Sequence, residues 1–62
     1  MNKAQEAVLM AESKGYSEQV LYWLTVAEAV EIVGDEIYLT FPNESGAIHV
    51  FADGTHRTIT TN

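Results

Sequence analysis

The chain predicts an α+β fold, two N-terminal helices packed on one face of a three- to four-stranded antiparallel sheet. Apolar residues recur at helical spacing from Ala4 onward and then switch to strict alternation after Val30. The alternating half is cut by three turn signals, Gly34-Asp35, Pro42 to Gly46 and Asp53-Gly54. A change of period from 3.6 to 2, followed by regularly spaced turns, is the pattern of helices laid on a meander.

The first helix spans about residues 3 to 14. Asn2 is placed to cap it, with Gln5 three positions on, as in a capping box. Ala4, Ala7, Val8 and Ala11 share one face, while Glu6, Ser13 and Lys14 face away. Lys14 suits the negative end of the helix dipole, and Gly15 supplies a left-handed terminator. Ser17 is a second N-cap, followed by Glu18 and Gln19 in the first turn. Val20, Trp23, Leu24, Ala27 and Val30 then form a helical stripe, with Leu21, Tyr22 and Val26 apolar on the opposite side. A strand through Val20 to Val26 competes with the helix, because β-branched and aromatic residues dominate there.

In the C-terminal half, Val30, Ile32, Ile37, Leu39 and Phe41 alternate around a Gly-X turn. Pairing across it sets Ile32 opposite Ile37 and Val30 opposite Leu39, so both strands agree on one core face. Residues 42 to 46 read as a loop. Ala47 to Ala52 and Thr55 to Thr60 flank Asp53-Gly54, read as a two-residue hairpin that sets Phe51 opposite His56. Ile48, Val50 and Ile59 are then expected in the core, with Tyr38, His49, Phe51 and His56 on the outer face. The opposite assignment, Phe51 in the core and Ile48 exposed, fits the pattern as well.

Sixty-two residues make one small domain, close to the lower limit for a self-sufficient core. With no cysteine there is neither a disulfide nor a thiolate metal site to supplement it. Tight packing or a homodimer would then supply stability. The apolar surface of Val20 to Val33, more than one small face can hide, favours self-association. Hydrophobic content of 47% argues against disorder. The formal charge is −6, and between Gly15 and His56 there is no Lys or Arg. Phosphate contacts need cations, so direct nucleic-acid binding and an anionic membrane surface are both disfavoured. Glu6 and Glu12 fall where a signal peptide would be apolar, and the stretch Val20 to Ala27 is too short for a bilayer. A cytoplasmic location is the expectation.

Glu28, Glu31, Asp35 and Glu36 place four carboxylates within a short run, joined by Glu44 and Asp53 in the loops. Such a set repels itself unless solvent or a partner offsets it. It reads either as a solvated surface or as an acidic face that docks on a basic groove. The outer-face set Tyr38, His49, Phe51 and His56 reads as a secondary contact surface. RNA-binding sheets also display aromatics but surround them with cations, which this chain lacks. Two histidines near Glu36 or Asp53 do not amount to a metal-binding spacing, so no metal or other cofactor is expected. Ser13, Ser17 and Ser45 lie in cap or loop contexts, Gly34 and Gly54 are turn glycines, and no feature buries a carboxylate. A non-enzymatic role follows.

In small size, acidity, absence of cysteine and α+β pattern, the chain resembles the small acidic inhibitors encoded by mobile genetic elements, the anti-CRISPR proteins and other DNA mimics. The resemblance covers the general character of the whole chain and no motif. It implies an inhibitor from a phage or similar element that occupies the nucleic-acid-binding surface of a basic protein or ribonucleoprotein complex. Glu28, Glu31, Asp35, Glu36, Glu44 and Asp53 would be the contact residues. The alternative is a small homodimeric structural or regulatory module that contacts its partner through Tyr22, Trp23 and Val26, or through the Tyr38/Phe51 sheet face.

Overall fold

The computed structural model describes residues 2–42 and 46–60. Helix α1 covers Lys3–Lys14 and begins with a complete capping box. The Asn2 side chain accepts from the Gln5 amide at 2.8 Å, and the Gln5 side chain accepts from the Asn2 amide at 3.0 Å. Gly15 ends the helix at φ 73, with the Tyr16 amide donating back to the Ala11 carbonyl at 2.9 Å. Ala7 and Ala11 are fully buried. Their small side chains let the helix approach its neighbours closely.

Helix α2 covers Glu18–Val26, and the Ser17 hydroxyl accepts from the Val20 amide. The helical reading of residues 20 to 26 therefore holds over the strand. Val20 and Leu24 lie in the core, with Leu21, Trp23 and Ala27 packed around it. The stripe does not run on to Val30. Ala27 turns to extended backbone, and the Glu28 amide already donates to the Thr40 carbonyl at 2.7 Å. Val30 thus serves the sheet period and not the helical one.

Four strands follow, β1 (Ala29–Val33), β2 (Glu36–Thr40), β3 (Gly46–Val50) and β4 (His56–Thr60), paired antiparallel in the order β1-β2-β3-β4. The first hairpin has the expected register, with Ile32 opposite Ile37 and Val30 opposite Leu39. Ile37, Leu39 and Val50 are completely buried on the inner face, against the helices. Ile48 packs beside them, which settles the choice of sheet face in favour of Val50 inward and Phe51 outward. Within the expected loop of residues 42 to 46, Asn43, Glu44 and Ser45 lie outside the described residues.

The second hairpin differs from expectation. Phe51 donates its amide to the Thr55 carbonyl, and Gly54 donates to the Phe51 carbonyl. This is a three-residue loop, Ala52 to Gly54, ending in a positive-φ glycine (φ 91). Phe51 therefore lies opposite Thr55, while His56 pairs with Val50 and Ile59 with Ala47. One extra loop residue moves every β4 side chain to the other face. His56 goes to the inner side, where its ring meets Trp23 edge-on at 4.8 Å. Ile59 goes to the outer side instead of the core. No helix among the described residues is long and apolar enough to cross a membrane.

Candidate protein-interaction face

The helices cover one side of the sheet and leave the other open. Alternation along each strand decides what that open face carries. With Ile37 and Leu39 turned inward, β2 must present Glu36, Tyr38 and Thr40 outward; β1 likewise presents Glu31. The registers then line up one row across the whole sheet: Glu31 beside Tyr38, Tyr38 beside His49, His49 beside Arg57. The row runs from a carboxylate on one edge strand to a guanidinium on the other.

Its centre is an aromatic stack. The Tyr38 and His49 rings lie 4.3 Å apart and only 17° from parallel, and Phe51 adds a tilted ring 4.2 Å from His49. The Arg57 guanidinium stands 6.0 Å from the Phe51 ring centre, at the outer reach of a cation–π contact. His49 is 6% exposed, although it lies on the open face, because the two rings enclose it. Its Nε2 meets the Glu36 carboxylate at 2.7 Å. A carboxylate only accepts, so Nε2 carries the proton and donates. The other ring nitrogen, Nδ1, is buried with no hydrogen-bond partner among the described residues. Glu36 is thereby held in place while remaining partly exposed.

The six carboxylates expected to act together do not form one patch. Glu31 and Glu36 share the open face, two neighbours on paired strands. Asp35, in the β1–β2 turn, lies 3.9 Å from the Lys14 ammonium at the end of α1, so it turns toward the helix layer. That pair is long, with the Asp35 side chain largely exposed, and therefore weak. Asp53 sits at the tip of the β3–β4 loop, where it accepts from the Thr55 hydroxyl at 2.7 Å and the Thr55 amide at 3.0 Å. Those two bonds, the hydroxyl first, hold its carboxyl below the ordinary 3.8. Glu28 is exposed at the opposite end of the sheet, where β1 begins. Glu44 lies outside the described residues. Of the secondary set, Tyr38, His49 and Phe51 come together, whereas His56 is on the far side of the sheet. With the two histidines on opposite faces, they cannot share a ligand, and no group of three metal-ligating side chains occurs among the described residues.

Arg57 joins this open face, where the expected two-residue hairpin does not put it. Its place depends on the loop length between β3 and β4, and a three-residue loop is what turns it outward. On the helical side, a groove of about 610 Å³ runs between α1 and α2, with Ala4, Val8, Leu9, Leu24 and Thr25 in its walls. Among the described residues, no acid, histidine or cation lines it. A second depression, about 420 Å³, lies among Tyr22, Trp23, Val26, Phe41 and Ile48.

Fold and surface together define a two-layer α+β domain with one open sheet face, aromatic at its centre and carboxylate-bearing along β1 and β2. No protein-family model, curated protein or solved structure matches the chain.

Proposed function

We propose that this protein is a non-enzymatic binding protein that docks a basic partner on its outer sheet face, in the manner of the acidic inhibitors that occupy a nucleic-acid-binding surface. The observation that carries the reading is the composition of that face. Glu31 and Glu36 stand beside the Tyr38–His49–Phe51 stack, and Arg57 is the single Lys or Arg in the strands of the described residues. Aromatic rings supply contact area at little entropic cost, and the carboxylates supply steering toward a positive groove. The overall charge of −6 extends that steering beyond the contact itself. A basic protein or ribonucleoprotein complex, such as a CRISPR effector, is the class of partner these features fit.

The test is a pull-down from bacterial lysate with washes of rising salt, repeated with Glu31→Lys and with Glu31→Lys/Glu36→Lys. Electrostatic docking requires a captured partner that elutes early with salt and is lost on charge reversal. The single variant leaves the Glu36–His49 bond untouched, so its loss of partner is not a folding defect. Retention of the same partner by both variants at all salt concentrations overturns the reading. A second reading has its own observation: Tyr22 is 63% and Val26 41% exposed on α2, an apolar surface suited to a homodimer or a regulatory contact. Under it, both Glu variants keep the partner and Tyr22→Ser loses it.

A further inference from the structure

Resting on the docking face proposed above, we infer that it receives an arginine side chain of the partner, stacked on the β1-facing side of Tyr38 and paired with Glu31. The argument starts from the row across the sheet. Tyr38 and His49 are register partners with nearly parallel rings, so His49 covers the β3-facing side of the tyrosine. The other side of that ring looks toward β1, where its register partner is Glu31. Side chains directly opposite on paired strands are roughly 5 Å apart at Cβ, so the Glu31 carboxylate is within reach of a group laid on that side of the ring. Glu31 is exposed and makes no ion pair among the described residues.

A planar cation is the ligand that satisfies both groups. Guanidinium stacks flat on an aromatic ring while its fork donates to a carboxylate, whereas an ammonium is a strongly hydrated point charge with no plane to lay on the ring. The same face already brings a guanidinium near a ring, the chain's own Arg57 standing 6.0 Å from the Phe51 ring centre. Glu36, fixed by His49, adds a second negative charge on the adjacent strand without being free to fold over the ring. A second copy of this chain fits less well, because it would bring another Glu31 and Glu36 toward this pair.

Two capped tripeptides, acetyl-Gly-Arg-Gly-amide and acetyl-Gly-Lys-Gly-amide, titrated into the labelled full chain and followed by NMR, provide the test. The arginine peptide should shift the Tyr38 ring and Glu31 side-chain signals saturably, about two- to fivefold more tightly than the lysine peptide. Glu31→Gln should reduce that preference, and Tyr38→Leu should remove it. Equal binding of the two peptides, or shifts confined to Asp35 and Asp53, overturns the inference. So does a concentration-dependent shift of Tyr38 without peptide, accompanied by a dimer in light scattering. If charge reversal abolishes partner capture while the peptides bind equally, the docking reading stands and only the arginine slot fails.

Discussion

At Gly54 the backbone adopts φ 91, and a Cβ added there would lie 2.8 Å from a Tyr16 ring carbon. Positive φ costs a side-chain-bearing residue about 1–3 kcal/mol, and the contact adds to that unless the tyrosine moves. Tyr16 has little room to move, being 9% exposed in the core. Gly54→Ala should therefore lower stability by at least the strain term, about 1–3 kcal/mol, read as a drop in the urea midpoint at unchanged slope. Gly34 offers the internal comparison: it has φ 62 but open space around the missing Cβ. Gly34→Ala carries the strain without the collision, so a larger loss there than at Gly54 would contradict this account. The same logic of crowding explains His49. Its burial arises from its two ring neighbours and not from the helical core, so truncating either Tyr38 or Phe51 would wet it.

Among the elements, the β3–β4 loop is tied to the rest by one side chain. The Tyr16 hydroxyl donates to the Ala52 carbonyl at 2.7 Å, linking the junction between α1 and α2 to a loop far along the chain. Tyr16→Phe keeps the buried ring and removes only the hydroxyl, with its bond to Ala52 and its longer contact to the Phe51 carbonyl at 3.3 Å, a loss of about 0.5–1.5 kcal/mol. For a domain of this size, melting should fall by roughly 2–12 °C, at about 4–8 °C per kcal/mol. Amide exchange should quicken locally at Gly54, and an unchanged exchange rate there would show that the loop holds itself. This link also bears on what could be read from sequence. The capping box at Asn2, the Ser17 cap and the first hairpin's register were legible because each is decided by residues a few positions apart. The Asp53-Gly54 loop was not, since the same dipeptide closes both a two- and a three-residue turn. Alternation could not arbitrate, because His56 to Thr60 offers a single apolar residue, Ile59. That ambiguity alone misplaced His56 and Ile59 and hid Arg57. Closeness in sequence misled in the same way for the carboxylates. Strand parity separates Glu31 and Glu36, which share a face, from Asp35 and Glu28 at opposite ends.

For the whole molecule, size and charge pull in opposite directions. The radius of gyration is 10.7 Å, against roughly 10.6 Å expected for a self-contained domain of this length. The chain thus reaches ordinary compactness without calling on a second copy. Yet nine carboxylates are set against three cations, and the two Lys–carboxylate pairs among the described residues are both 3.9 Å long. Such long, largely solvated pairs offset little of the repulsion. Compaction holds like charges together that separate on unfolding, so the native state bears most of the repulsive energy. Sodium chloride should then stabilise the fold. Raising it from about 10 to 300 mM shortens the screening length from roughly 30 Å to under 10 Å. An accompanying rise in Tm of about 2–8 °C corresponds to roughly 0.5–1 kcal/mol. A Glu28→Gln/Glu31→Gln variant should begin with a higher Tm in low salt and respond less to added salt. A Tm that falls with salt would mean that the carboxylates are held by attraction within the fold. They would then not be free to meet a basic partner.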